Sequence, residues 1–486
     1  MQKLVLAVLR SFDRHAARIT RHLGKCLLFE LLSRWKNMRA LIAGAGNAGR
    51  RLAERLCVEG HEVVLIDENQ RRLDEVSSVL DLLTICGNAA SPGVLAEAQL
   101  SKANLFAAVT DHDEVNILAA LFAHEEGVPQ TVVRVSNSAY LAQHAVDMLL
   151  KMGIDLIVNE HDECAREIQM VLNMPGSREV IEMVRGRILC VGVSQRPGGR
   201  MTGRALRDYA GEGLLNRVRL LAVMRQGALL IPDGDLVIEP QDIVYCIGQT
   251  VDVRAFVQDV CQDCPSIEKV IIAGGGDTGM HLARRLEHTD RQVVLIEKDE
   301  AAAHACSAVL SKAVVMHGSA LDRQLLDEIG VDSETAIVSA MGDDENNILA
   351  ALLAKKAGAT FGIPIVSNPS YVQIINDDHL LDRAVSPYLT TINAILRFLR
   401  GTNIRAVNLL HNVPGELLQV DLPVGSRWHE TPVRALSLGR KAILALVLRD
   451  EEAIVPTGET VLQVDDRLFI FVPQGTAAKV EALFRS

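Results

Sequence analysis

Twice in this chain, and in the same order, a short apolar strand runs into a glycine-rich turn and is followed by a second apolar strand that ends in an acid. In the first copy Ala40-Leu41-Ile42-Ala43 leads into Gly44-Ala45-Gly46-Asn47-Ala48-Gly49, and Val63-Val64-Leu65-Ile66 ends at Asp67. In the second, Val270-Ile271-Ile272-Ala273 leads into Gly274-Gly275-Gly276-Asp277-Thr278-Gly279, and Val293-Val294-Leu295-Ile296 ends at Glu297. First glycine and acid stand 23 residues apart in both copies. Unbroken apolar runs of this length suit central strands of a parallel sheet. The first glycine permits the tight turn, the second lets the backbone approach a pyrophosphate, and the third lets the following helix pack against the strand. The helix N-terminus then offers free N–H groups to the phosphates. An acid at the end of the second strand accepts from an adenosine ribose and repels a 2′-phosphate, which predicts NAD(H) in preference to NADP(H). Glycine-rich turns also serve folds that hold no ligand, so the motif alone leaves both readings open.

The repeat extends well beyond the glycines. Asp113-Glu114-Val115-Asn116-Ile117-Leu118-Ala119-Ala120-Leu121 recurs as Asp344-Glu345-Asn346-Asn347-Ile348-Leu349-Ala350-Ala351-Leu352, and Val135-Ser136-Asn137 recurs as Val366-Ser367-Asn368, at one offset of 231 residues. Helical stretches follow, with Cys164, Ile168, Val171 and Leu172 on one apolar face and Ile392, Ile395, Leu396 and Leu399 on the other copy's. Pro175-Gly176 and Gly401 are the expected stops. Beyond them, two β-rich segments share Pro232-Asp233-Gly234 with Pro456-Thr457-Gly458, and Asp242-Ile243-Val244-Tyr245 with Asp466-Arg467-Leu468-Phe469, at an offset of 224. The expected organisation is an α/β tandem duplication in which a Rossmann-like parallel-sheet lobe precedes a small α+β lobe. Its segments are a basic extension at 1–37, a first nucleotide lobe at 38–160, and a crossover helix with small lobe at 161–263. A second nucleotide lobe at 268–385 and a second crossover helix with small lobe at 386–486 complete it. The apolar stripes around Ile168 and Ile395 are candidate subunit contacts.

Charge and hydropathy narrow the partners. Residues 1–37 carry eight Lys or Arg against two acids, so the formal charge of −11 understates how acidic the remainder is. Such a body is a poor nonspecific binder of nucleic acid. No segment approaches the roughly 20 apolar residues of a spanning helix, so the sequence reads as a soluble protein. Residues 1–37 hold only one brief apolar run, Leu4 to Leu9, and read as an upstream or loose extension rather than a signal peptide, with Met38 directly before the first strand. The nine cysteines are odd in number and scattered, as for reduced thiols. Cys261-Gln262-Asp263-Cys264 has no second CxxC or paired His motif, so no zinc site is expected.

Catalytic groups are missing where a reaction would need them. None of the five tyrosines has a lysine four positions later, and neither HExxH nor GxSxG occurs. Asp111, Asp113 and Glu114 are better placed to favour the start of the helix that follows than to work as an acid/base pair. A nucleotide site without substrate chemistry is the expected outcome. The enzyme alternative is a tandem NAD-dependent oxidoreductase.

With GAGNAG, VVLID, VTDHDEVNILAA and VVRVSN in the first half, and the order of nucleotide lobe, crossover helix and β-rich lobe repeated, residues 38–486 resemble the TrkA family. These are the peripheral NAD-binding subunits of bacterial Trk potassium uptake systems, built from tandem RCK (KTN) modules. The resemblance implies a non-enzymatic regulatory subunit that sits at the inner, cytoplasmic face of the cell membrane. It implies a homo-oligomer, a dimer or a tetrameric ring, gating an integral membrane potassium transporter subunit of the TrkH or TrkG kind in response to NAD(H) or ATP/ADP. A nucleotide sensor of some other membrane transporter is the remaining alternative. Carried over by position, the resemblance places Gly44 to Ala48 at the pyrophosphate, Asp67 at the ribose, Thr110 and Asp111 after the fourth strand, and Arg134 opposite a phosphate.

The second half departs from that pattern. Glu297 is retained, but Met341 stands in place of Thr110 and Ile365 in place of Arg134, which predicts weaker binding of a charged ligand there. The third strand ends in Gly87-Asn88 in one half and Gly318-Ser319 in the other, both without the family's common acid.

Overall fold

The computed structural model describes residues 38–473, except 185, 211–212, 262–265, 378–379, 404–407, 410–412, 414, 423–425, 437, 439–441 and 451. The basic extension and Gln262–Cys264 of the CxxC lie outside the described residues. The chain divides into two compact units, one ending at Glu160 and the other beginning at His161.

The first unit is a six-stranded parallel sheet ordered β3-β2-β1-β4-β5-β6. Its strands are β1 (Arg39–Ala43), β2 (Glu62–Asp67), β3 (Leu83–Cys86), β4 (Leu105–Ala108), β5 (Thr131–Arg134) and β6 (Leu156–Val158). Chain order reverses at β1, where β2 and β4 flank it with Leu41 opposite Val64 and Phe106. Helix α1 (Asn47–Val58) follows β1, α2 (Gln70–Ser77) follows β2, and α3 (Asp113–Glu125) follows β4. Helix α3 lays Ala119, Ala120 and Ala123 on the sheet beside Leu41, Val64 and Phe106. Three alanines on one face let the helix approach closely, which is why they recur in the other half.

The second unit begins with α4 (Glu160–Leu172) from its second residue onward. A five-stranded antiparallel sheet comes next: β7 (Ser177–Met183), β8 (Ile188–Ser194), β9 (Val218–Arg225), β10 (Ala228–Leu230) and β11 (Ile243–Gln249), ordered β10-β9-β11-β8-β7. The second parallel sheet, ordered β14-β13-β12-β15-β16, consists of β12 (Lys269–Ala273), β13 (Gln292–Glu297), β14 (Val314–His317), β15 (Thr335–Ser339) and β16 (Phe361–Pro364). With it come α5 (Asp277–Leu286), α6 (Glu300–Val309) and α7 (Asp344–Ala357), then α8 (Pro387–Asn403). The closing sheet is β17 (Asn408–Leu409), β18 (Gly415–Asp421), β19 (Ile443–Arg449), β20 (Glu452–Ile454) and β21 (Arg467–Pro473), ordered β17-β18-β21-β19-β20. Read from the other edge, that order is the same as in the first antiparallel sheet. The duplication is therefore topological as well as sequential.

Two expectations are corrected. The stripe on α4 is not left for another subunit: Cys164, Ala165, Ile168, Val171 and Leu172 share one core with Val270, Ile272, Leu282 and Val293 of the second parallel sheet and its helix. Ile392, Ile395, Leu396 and Leu399 on α8 are likewise buried within the chain. Nor does Gly401 end its helix, which continues to Asn403. A glycine inside a helix costs only about 1 kcal/mol, too little to stop one whose apolar face is already buried.

The two antiparallel sheets bury a core between them. Cys190, Leu221, Tyr245 and Ile247 of the first meet Leu417, Leu446, Phe469 and Phe471 of the second. Each sheet also carries one ion pair at matching positions. Asp242 takes Nε and Nη2 of Arg225, both in the 2.7–2.8 Å range, and Asp466 takes Nε and Nη2 of Arg449 at 2.7 and 2.8 Å. The carboxylates are buried while the arginines reach solvent. Each acid further accepts a backbone N–H three residues upstream, from Glu239 and Gln463. That shared role explains why the acid recurs at an offset of 224. Asp466→Ala removes the carboxylate bonded to Arg449 and leaves the Gln463 N–H without its acceptor, and is expected to cost about 2 kcal/mol, read as a lower urea midpoint of unfolding.

Candidate functional site

The site grows from the junction of β1 and α1. Gly44 has φ of +107°, a conformation that favours glycine, and its N–H donates to Ile66 O at 2.7 Å, pinning the turn to β2. A side-chain carbon on Gly49 would lie 1.7 Å from Gly44 O, so only glycine lets α1 start this close to the strand. Gly46 differs. Its φ and ψ of −70° and −171° are ordinary, and a Cβ there would meet nothing within 4 Å. No contact within the described residues demands glycine at that position, and Gly276 of the second turn is equally open.

Around this turn lies a cleft of about 570 Å³ at the C-terminal ends of the strands, beside the point where chain order reverses. Open α/β sheets place ligands there. Its lining includes Gly44, Gly46, Asp67, Asn69, Arg71, Arg72, Asn88, Thr110, Asp111 and His112. Asp67 spans the glycine turn and the next helix: Oδ2 accepts from Ala45 N–H at 2.6 Å and Oδ1 from Asn69 N–H at 2.8 Å. Each carboxylate oxygen keeps a further lone pair for a ribose hydroxyl. Asn88 donates to Glu68 Oε1 at 2.8 Å.

Thr110 is held by Asn116, a side chain the sequence reading saw as part of a repeat and not as an organiser. Asn116 Oδ1 accepts from Thr110 N–H at 3.0 Å and from its hydroxyl at 2.6 Å, while Nδ2 donates to Thr110 O and Arg134 O at 2.9 and 3.0 Å. Asp113 completes the brace, taking the N–H groups of Ser136 and Asn137 at 2.8 Å each. Together the two residues tie the ends of β4 and β5 to the start of α3. An Asn and an Asp at the start of an alanine-rich helix were the signal available in the sequence, and the structure buries both.

Arg134 does not line the cleft. Its guanidinium donates to Thr110 O at 2.8 Å, to Asp111 Oδ1 at 3.3 Å and to Glu160 Oε1 at 2.6 Å. Burial alone would lower its pKa, but the charges and hydrogen bonds of Glu160 and Asp111 prevail and hold it above the ordinary guanidinium value. The cation expected to face a phosphate directly is thus engaged behind the wall, where it anchors Thr110 and Asp111.

The second copy keeps the brace and changes the rest. Asn347 takes Met341 N–H at 2.8 Å and donates to Met341 O and Ile365 O at 2.9 and 2.8 Å, and Asp344 takes Ser367 and Asn368 N–H. Glu297 again bonds the turn, through Gly275 N–H at 2.7 Å and Asp299 N–H at 2.9 Å. Gly274 has φ of +112°, and a Cβ on Gly279 would lie 2.0 Å from Gly274 O. Val385 bridges to Ile365 as Val158 pairs with Arg134. Two residues further on, Glu160 of the first copy corresponds to Pro387, so Arg134 and Glu160 are replaced together by Ile365 and Pro387.

At the second turn Asp277 and Thr278 stand where Asn47 and Ala48 stand in the first. Thr278 Oγ1 lies 2.8 Å from His161 Nδ1, and Asp277 Oδ2 lies 3.8 Å from His161 Nε2. Next to them Asp162 takes two hydrogen bonds of 2.8 Å from Arg285 and lies 3.5 Å from His281. Burial would raise the Asp162 pKa; the hydrogen bonds from His281 and Arg285 outweigh it and hold the carboxyl below its usual range. The second turn thus adds a carboxylate where a phosphate would come, and its helix is tied to α4.

Among the described residues no group of three or more His, Cys, Asp or Glu is arranged to hold a metal, and no helix is long and apolar enough to cross a membrane.

Known proteins bear directly on this architecture. The TrkA-N domain model matches residues 40–160 and 270–387, and the TrkA-C domain model matches residues 417–485, together more than half of the chain. The Trk system potassium uptake protein TrkA of Halomonas elongata is 30% identical over 459 residues, spanning 92% of this chain and 99% of that protein. The Vibrio alginolyticus protein of the same name is 29% identical over 456 residues, with 92% and 99% covered. A TrkA homolog of Archaeoglobus fulgidus is 30% identical over 448 residues, with 92% and 100% covered. Among solved structures, the GsuK channel bound to NAD superposes with a TM-score of 0.58 at 17% identity, covering 96% of this chain and 85% of that one. The GsuK RCK domain gives 0.56 at 17% identity, with 92% and 95% covered. At that identity the structural likeness speaks for the fold. The duplicated lobes, the matched domain models and relatives aligned along nearly their whole length place this chain in the TrkA family.

Proposed function

We propose that this chain is the nucleotide-binding regulatory subunit of a Trk-type potassium uptake system. It takes NAD(H), or ATP/ADP in competition with it, in the first-lobe cleft. As a homo-oligomer at the inner face of the cell membrane, it gates an integral potassium-translocating subunit and catalyses no reaction. The observation that carries this reading is the open Gly46 position at the mouth of the cleft, beside Asp67, in a chain whose full-length relatives are named as Trk potassium uptake proteins.

The residues present fit a nucleotide. Gly46 to Ala48 at the start of α1 would meet the phosphates with backbone N–H groups, those of Gly44 and Ala45 being taken by Ile66 O and Asp67; Asp67 would accept from a ribose hydroxyl, and Thr110 with Asp111 would line the far wall. Asp277 and the loss of the Arg134–Glu160 pair make the second turn the weaker site. A ligand gates only through unequal affinity for two conformations of the assembly, with coupling of roughly 1–3 kcal/mol in typical cases.

The glycines separate binding from folding. Gly46→Ala is expected to leave the unfolding midpoint unchanged and to weaken NADH binding at least tenfold, measured by calorimetric titration. Gly49→Ala, whose new carbon would strike Gly44 O, is expected to cost about 3 kcal/mol of stability. An alanine at 46 that binds NADH as well as the parent would overturn the assignment. At the level of transport, co-purification with a membrane potassium subunit and potassium flux that changes on adding NADH are expected. Flux indifferent to nucleotide would refute gating.

A further inference from the structure

One guanidinium in the first lobe is shared between a carboxylate on the cleft wall and a carboxylate on the crossover helix. Arg134 Nη1 donates to Thr110 O at 2.8 Å and to Asp111 Oδ1 at 3.3 Å, and Nη2 donates to Glu160 Oε1 at 2.6 Å. Thr110 and Asp111 line the cleft. Glu160 is the first residue of α4. The Asp111 side chain is 78% exposed, whereas those of Arg134 and Glu160 are largely covered, at 10% and 18%.

The rest of α4 is fastened elsewhere. Asp162 takes Arg285 of α5 at 2.8 Å, Glu163 takes Arg397 of α8 at 2.8 Å, and Glu167 takes Arg383 at 2.7 Å. At the C-terminal end Arg291 donates to Leu172 O at 2.9 Å. With its apolar stripe buried beside the second parallel sheet, α4 from Asp162 onward is carried by the second nucleotide lobe. Its first residue is the one that Arg134 holds.

The second copy loses this arrangement whole. Asp111, Arg134 and Glu160 correspond to Gly342, Ile365 and Pro387, while the brace of Asn347 and Asp344 stays. A buried arginine and its carboxylate go together, because either alone leaves an uncompensated charge. That need does not extend to Asp111, which is exposed. Its loss along with the pair marks the three side chains as one working unit.

We infer that Asp111, Arg134 and Glu160 form the relay through which a nucleotide in the first cleft acts on α4, with Glu160 as its positioning residue. The inference rests on the nucleotide reading above and concerns how that site is read out. Two carboxylates compete for one guanidinium, so a bond lost by Asp111 strengthens that of Glu160. A nucleotide diphosphate repels the Asp111 carboxylate on the far wall, which leaves Arg134 to Glu160 and fastens the start of α4. The ligand favours this setting of the helix by binding the two settings unequally.

Hydrogen exchange of residues 161–168 in the full chain, with and without saturating NADH, tests the relay. In the parent, NADH is expected to slow exchange there about threefold or more. Glu160→Gln keeps the size of the side chain and removes its charge. This variant is expected to bind NADH in calorimetric titration, to exchange faster than the parent, and to lose the NADH effect. Asp111→Asn is expected to shift the other way, with slow exchange in α4 before NADH is added and no further change after it. Because Asp111 is exposed, that variant carries the test should the Glu160 variant fail to fold. A parent that binds NADH without a change in α4, or variants that keep the parent's NADH effect, overturns the relay while leaving nucleotide binding intact. A parent that binds no NADH overturns the nucleotide reading and this one together.

Discussion

The approach of Gly49 to the carbonyl of Gly44 is the constraint on which the site depends. No side chain fits between them, since its first carbon would sit 1.7 Å from that oxygen. Because the backbone closes there, α1 begins directly at the end of β1 and its first N–H groups face the reversal point of the sheet. The second copy obeys the same constraint at Gly279 and Gly274, at 2.0 Å. A turn this tight is a packing solution before it is a binding device. It persists in both lobes, whereas the groups that suit a charged ligand differ between them.

That difference is confined to a few positions. In both lobes an asparagine and an aspartate brace two strand ends through backbone groups, so these residues are structural wherever they occur. What changes is Thr110 to Met341, Arg134 to Ile365, Glu160 to Pro387, Asn47 to Asp277 and the Arg71-Arg72 pair to Ala301-Ala302. Arg134 and Glu160 vanish together because a buried arginine without its carboxylate, or the reverse, leaves an uncompensated charge. The substitutions alter both signs of charge, since Arg134 and Glu160 are lost together, Asp111 becomes Gly342 and Glu68 becomes Lys298. The second lobe contributes a sheet to the core shared with α4.

Much of this was legible in the sequence, and the parts that were not have a common cause. Periodicity and glycine spacing report local geometry, so the strands, the turns and the duplication could be read directly. The partner of a polar side chain is a matter of tertiary position. Asp242 and Asp466 were visible as a repeat, but Arg225 and Arg449, seventeen residues upstream of each, were not connected with them. Arg134 was read as a phosphate ligand because its position suggested one; Glu160, which claims it, lies 26 residues away on the next helix. Stripes of apolar residues carry the same ambiguity. Those on α4 and α8 predicted burial correctly and could not say that the chain itself would supply the cover.

The same reasoning bears on how selectivity is built. A carboxylate at the end of the second strand is often treated as sufficient to choose between ribose and ribose phosphate. Its field, however, depends on what it already bonds. Asp67 sits between two backbone N–H groups that the glycine turn and α2 supply, so its orientation is fixed before any ligand arrives. The cleft lining also carries Glu68 and Asp111, with Arg71 and Arg72 beside them. Selectivity then belongs to the balance of charge across the whole adenosine end, which a single motif position cannot report.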